Sequence, residues 1–224
     1  MILCKTRKIC ILGPTKTGSS TLSYIFKDVP LDFKSDLSSQ HYTYKDYVEK
    51  NIVSDEELKT YTFYSFYRNP IERFFSAARG VRREGYVMSL QRLMDISYID
   101  PVRQLEFIGE PSYKTLTSEC QSRLEKIPER NMFHPYASIF FKQKHWLDIP
   151  AKIVLLDFND FTNQAKMLLS LFDVTDVEIP IRNPSIKAPE YDAIHQTDKM
   201  KQFIKSKYKE DYDFFAEKGI TFPE

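Results

Sequence analysis

Lys16 stands in a run of small and hydroxylated residues, Gly13-Pro14-Thr15-Lys16-Thr17-Gly18-Ser19-Ser20-Thr21. The run follows a short apolar stretch, Ile9-Cys10-Ile11-Leu12. A strand that passes through such a turn into a helix points backbone N–H groups and a helix N-terminus at one spot, which suits a phosphate or sulfate group. The pattern is close to a Walker P-loop but departs from it. The Walker form has lysine directly after the second glycine, then Ser or Thr. Here Ser19 and Ser20 follow Gly18, and the lysine comes earlier. The missing lysine argues against an ordinary ATPase or kinase. A second stretch, Arg68-Asn69-Pro70-Ile71-Glu72-Arg73-Phe74-Phe75-Ser76, sets an arginine at a strand end and a serine about two turns into the next helix. Such a pair can converge on one phosphate, one supplying charge and the other a directed hydroxyl. Arg73 either joins them or pairs with Glu72 or another acid. The competing reading of this stretch is a surface helix whose charges are solvated.

These residues need a frame to hold them. Residues 8–13 read as a strand, and residues 19–27 as a helix with Leu22, Ile25 and Phe26 at helical spacing. Residues 31–42 form an irregular connection with room for a short strand, and 43–59 read as a polar helix. Thr62 to Tyr67 is rich in aromatic and β-branched residues and reads as a strand. Pro70 suits the first turn of a helix that runs from Ile71 to about Arg83. Residues 88–130 read as a helical and irregular insertion beside the sheet. Lys152 to Asp157, KIVLLD, has the nearly all-apolar character of a buried parallel strand. An amphipathic helix over 160–172, a proline-bearing loop over 180–193 and a charged helix over 196–217 complete the chain. Strands alternating with helices predict an α/β fold, a mostly parallel sheet with helices on both faces. All 224 residues are read as one domain.

The formal net charge is +1, so bulk electrostatics gives no case for a nucleic-acid partner. Any anion site must be a local cluster. Apolar residues make up 42% and charged residues 28%, as in a soluble globular protein. Cys4, Cys10 and Cys120 have no metal-ligand spacing, and Cys10 reads as a buried free thiol, which favours a reducing compartment. No apolar run approaches the ~20 residues of a membrane span. The apolar run after Lys5, Arg7 and Lys8 is shorter than a signal-peptide core of ~7–15 residues. The expectation is therefore a cytoplasmic chain without an anchor. Its oligomeric state is not legible.

Taken together, the two motifs resemble the sulfotransferase superfamily. Residues 14–22, PTKTGSSTL, are similar to its 5′-phosphosulfate loop, and residues 68–76, RNPIERFFS, to its 3′-phosphate motif. The nearer likeness is to the Golgi carbohydrate sulfotransferases, including the uronyl and heparan sulfate 2-O-sulfotransferases. Weaker echoes are His134-Pro135, KIVLLDFNDF and Asn183-Pro184-Ser185. Thr15 departs from the pattern, which usually has proline directly before lysine. The resemblance implies a three-layer, P-loop-like fold. It also implies 3′-phosphoadenosine 5′-phosphosulfate (PAPS) as donor, the bisphosphate PAP as product, and no metal. Lys16 would stabilise the leaving oxygen. Thr17, Gly18, Ser19, Ser20 and Thr21 would hold the 5′-phosphate, and Arg68 and Ser76 the 3′-phosphate. The acceptor would be a hydroxyl, most simply on a glycan.

The acceptor hydroxyl needs a base. His41 lies in the connection after the first helix, where related carbohydrate sulfotransferases carry their basic residue, and imidazole has a suitable pKa range. His134 is the rival, with Glu84 and Glu110 as carboxylate candidates. His145 and His195 read as surface or helix-end residues. Arg79, Arg82 and Arg83 either meet an acidic acceptor or form a solvated helix face. Two alternatives stay open: a P-loop nucleotide or small-molecule kinase, and an inactive nucleotide-binding module.

Overall fold

Alternation within short apolar runs builds the sheet. Ile2, Cys4, Ile9 and Ile11 pack into one core cluster, and Leu3, Cys10 and Leu12 into another, as the two-residue period of a strand requires. The computed structural model describes residues 2–34, 41–83, 142–180 and 197–223. Within them one sheet contains β1 (Ile2–Cys4), β2 (Ile9–Leu12), β3 (Phe33–Lys34), β4 (Thr62–Tyr67) and β5 (Lys152–Asp157), in the order β3-β1-β2-β4-β5. The helices are α1 (Ser19–Ile25), α2 (Tyr44–Glu49), α3 (Asp55–Leu58), α4 (Pro70–Arg83), α5 (Lys144–Leu147), α6 (Phe161–Ser170), α7 (Asp198–Lys207) and α8 (Lys209–Glu217).

β2, β4 and β5 are parallel neighbours, whereas β1 runs antiparallel to both β2 and β3. Every strand but β1 therefore points one way, and the expected α/β architecture with a mostly parallel sheet is present. β1 itself was not expected. Ile2-Leu3-Cys4 is a minimal strand, turned back into β2 through Lys5–Lys8, where Lys8 is left-handed (φ 53°) and donates to the Lys5 carbonyl at 3.2 Å.

Helices cover both faces of the sheet. Leu22 and Ile25 of α1 and Ala165, Leu168 and Leu169 of α6 pack with Ile9, Ile11, Phe66 and Leu156. Tyr44 and Tyr47 of α2 and Leu58 of α3 pack with Leu3, Cys10, Leu12 and Phe63. Cys4 and Cys10 are buried free thiols, and burial pushes the Cys10 thiol up to about 12.

Two expected helices are each divided. The stretch 43–59 breaks at Asn51, which is left-handed with φ 53°. Either side of the break is separately capped. Thr43 and Asp46 form a capping box on α2, and the Ser54 hydroxyl accepts from Glu57 N at 3.2 Å on α3. The charged C-terminal helix divides into α7 and α8 at the buried Tyr208. The strands at Thr62–Tyr67 and Lys152–Asp157 match expectation at both ends.

Contacts divide the chain into two compact units. The first is Met1–Asn69, Lys142–Pro184 and Asp213–Glu224, and the second is Pro70–Phe141 and Ser185–Tyr212. The sheet belongs to the first. In the second, α4 packs on α7, with Phe74 edge-on to Tyr208 at 6.3 Å. Among the described residues no helix is long and apolar enough to cross a membrane. The insertion read over 88–130, His134, His195, Glu84, Glu110 and Cys120 lie outside the described residues.

Phe63 has no exposed surface and sits 5.6 Å from the Tyr44 ring. Phe63→Ala should cost about 3–5 kcal/mol, read as a lower urea midpoint at unchanged m-value. A loss under about 1 kcal/mol would contradict this packing.

Candidate functional site

β2 and β4 are adjacent and parallel, with Leu12 opposite Ser65. The chain therefore leaves both strands at the same end of the sheet, through Gly13 from one and Arg68 from the other. Open α/β sheets bind ligands at these carboxyl ends.

The loop from Gly13 to Gly18 is tightly folded on itself. The Thr17 hydroxyl donates to the Pro14 carbonyl at 2.7 Å, and Thr15 and Thr17 are buried. Lys16 is left-handed at φ 66°, and so is Gly18 at φ 86°. For lysine this conformation costs roughly 1–2 kcal/mol, so the surrounding loop must hold it. Gly18 precedes α1 and accepts from Leu22 N at 3.0 Å. It has to be glycine for a second reason, since a Cβ there would overlap the ring of Phe161. Phe161 lies 4.5 Å from Phe66 and 5.6 Å from Phe158, ring centre to ring centre. The loop thus rests on an aromatic group that joins α6 to β4. Ser19 and Thr21 are buried, while Lys16 and Ser20 are partly exposed.

His41 is half-buried at the mouth of this loop. Its Nδ1 lies 2.7 Å from the Gly13 carbonyl oxygen. A carbonyl only accepts, so Nδ1 carries the proton and Nε2 keeps its lone pair. The Trp146 indole N–H donates to the His41 carbonyl at 2.9 Å and fixes the residue from the other side. Burial pushes the imidazole down to about 4. The Gly13 hydrogen bond opposes that shift, and the positive charge of Lys16 reinforces it. The two residues expected to do chemistry, Lys16 and His41, are therefore electrostatic neighbours. His145, in α5, is exposed.

Arg68 is held at its main chain and at its head. Its N–H donates to Gln143 Oε1 at 2.9 Å, and its carbonyl accepts from Gln143 Nε2 at 2.7 Å. Its guanidinium lies 4.5 Å from the centre of the Phe158 ring. Ser76 belongs to the second unit, where it is buried within α4. Arg73 is in that unit too. It is 1% exposed, with its guanidinium 5.5 Å from the Tyr208 ring, so it is a core residue and not a solvated charge.

No family model, curated protein or solved structure matches this chain. The chemistry has to be argued from the residues themselves.

Sequence reasoning missed Gln143, Trp146, Phe158 and Phe161. Trp146 left one signal, being the single tryptophan of the chain. Gln143 left none, because a lone glutamine in a polar stretch gives no sign that it reaches a strand end far away in sequence.

Two outcomes follow from this geometry. Gly18→Ala should destabilise the protein by at least about 1–3 kcal/mol, and Phe161→Leu in the same chain should recover part of that loss. Strictly additive effects in the double-mutant cycle would contradict the close approach. The second outcome concerns pH. The folded pKa of His41 lies below its ordinary 6.5, so folding favours the neutral ring. That contribution is complete above the unfolded pKa and is lost as pH falls toward about 4. Wild type should lose on the order of 2–3 kcal/mol across this window through His41. His41→Gln should flatten that part of the chemical-denaturation profile. Identical profiles for the two proteins would overturn the assignment.

Proposed function

We propose that this protein is a sulfotransferase that moves a sulfuryl group from PAPS to an acceptor hydroxyl, on a P-loop-like α/β scaffold. The observation that carries the reading is the hydrogen bond from His41 Nδ1–H to the Gly13 carbonyl, beside Lys16. It joins a neutral base to the first residue of a loop built for an anion. Left-handed residues on either side of Thr17 are the kind of backbone alternation that makes anion-binding concavities. The strained Lys16 is a feature that clusters at functional sites.

In this reading Thr17, Gly18, Ser19, Ser20 and Thr21 hold the 5′-phosphate of the donor. Arg68 is assigned to the 3′-phosphate from the sequence motif. The acceptor oxygen attacks sulfur, a new S–O bond forms, and the bond to the bridging phosphate oxygen breaks. The acceptor proton passes to His41 Nε2, and Lys16 meets the charge left on the bridging oxygen. Positioning and charge stabilisation do the work, by analogy with phosphoryl transfer. The acceptor we favour is a carbohydrate hydroxyl, on the strength of the motif likeness alone.

The test is Lys16→Gly, with PAP and AMP as probes. Glycine relieves the left-handed strain, so the melting temperature should hold or rise, while sulfate transfer from PAPS falls by at least about 10²-fold. Wild type should bind PAP well above AMP, because a charge-assisted contact to the 3′-phosphate is worth about 1.5–3 kcal/mol. The acid limb of kcat/KM should lie well below that of an ordinary histidine, since His41 titrates near 4 in the free protein. Equal affinities for PAP and AMP in wild type would remove the sulfotransferase reading.

A further inference from the structure

Gln143 has no exposed surface. A buried primary amide is costly unless its groups are paired. This one spends both ends on a single residue: Oε1 accepts from the Arg68 N–H, and Nε2 donates to the Arg68 carbonyl. The partners dictate the amide's orientation, since a backbone N–H only donates and a carbonyl only accepts. These are the two bonds that a neighbouring strand would give to one residue. They begin where the β4–β5 ladder stops, one residue beyond the Tyr67–Asp157 pair. Gln143 thus extends the pairing of β4 by one residue with a side chain, and that residue is the arginine assigned to the donor's 3′-phosphate. The guanidinium rests over Phe158, so the backbone and the head of Arg68 are fixed by different elements.

We infer that Gln143 is a positioning residue for 3′-phosphate recognition and acts only through Arg68. The inference rests on the sulfotransferase reading. Pairing the Arg68 peptide sets the direction in which its side chain leaves the strand end. An arginine ordered in advance loses less freedom when it meets a phosphate. Gln143 touches no part of the transferring group, so its loss weakens recognition of the 3′-phosphate and leaves the rest of the nucleotide site unaltered.

The experiment titrates PAP and AMP into wild type, Gln143→Met, Arg68→Ala and the double variant, by calorimetry. Gln143→Met should lower the PAP-over-AMP preference at least tenfold with AMP affinity unchanged. In the Arg68→Ala background the same substitution should do nothing further to that ratio. Gln143→Glu adds a readout that simple packing would not move. Its protonated carboxyl can make both bonds to Arg68 and its ionised form cannot. Measured relative to wild type at each pH, its PAP preference should recover as pH is lowered. That variant decides the matter if Gln143→Met does not fold. Retention of the full preference by Gln143→Met, or a Gln143→Glu preference that follows wild type at every pH, overturns the positioning role. Wild type without any PAP preference overturns the sulfotransferase reading itself, and the two failures are thereby distinct.

Discussion

The missing side chain at Gly18 is the constraint on which the site turns. The loop crosses the Phe161 ring at a distance no Cβ allows, and that ring is packed on Phe66 of β4. The path of the loop is therefore set by the core beneath it as well as by its own hydrogen bonds. With Gly18 fixed, α1 begins at Ser19, Thr17 turns back to Pro14, and Lys16 is left in a conformation it would not choose. Gly13, at the other end, has its carbonyl placed for His41. A methyl group at one position would disturb every one of these.

Electrostatics gives the loop and His41 a shared logic. A histidine beside a lysine, half out of water, stays neutral, and that is the state in which Nε2 accepts a proton. The Gly13 carbonyl would hold an imidazolium more tightly than an imidazole, and it cannot hold the tautomer with its proton on Nε2. Burial and the Lys16 charge set the protonation state, and the carbonyl selects the tautomer. Arg68 is controlled differently. It keeps its charge in any environment, so the protein fixes only its position.

The strands β2, β4 and β5 were legible because their signals are local. Thr62–Tyr67 and Lys152–Asp157 carry their apolar character within six residues each, and a helix-breaking proline or a glycine turn marks the ends of neighbouring elements. β1 was not legible, because three residues before a charged turn are too few to establish a period. The breaks at Asn51 and Tyr208 escaped for a related reason: helical periodicity persists across a single turn of irregular backbone. Within the candidate site, Lys16, Gly18, Arg68 and His41 have types that suggest chemistry. Gln143 and Phe161 acquire their roles only from residues far away in sequence, and single-residue type says nothing of that.

The parallel pairing of β4 with β5 also governs the order of folding. Thr62 finds Lys152, and Tyr67 finds Asp157, across all the chain between them. Closing so long a loop has an entropic cost before any contact rewards it. During synthesis β4 emerges well ahead of β5, and it carries Phe63 and Phe66 with one edge still unpaired. Gln143 emerges shortly before β5 and Phe161 shortly after it, so Arg68 and the loop beneath Lys16 receive their supports late and almost together. The candidate site thus lacks these two supports until the segment around β5 has been made. A nascent chain arrested before Lys152 would expose the β4 edge, a ready template for pairing with another chain.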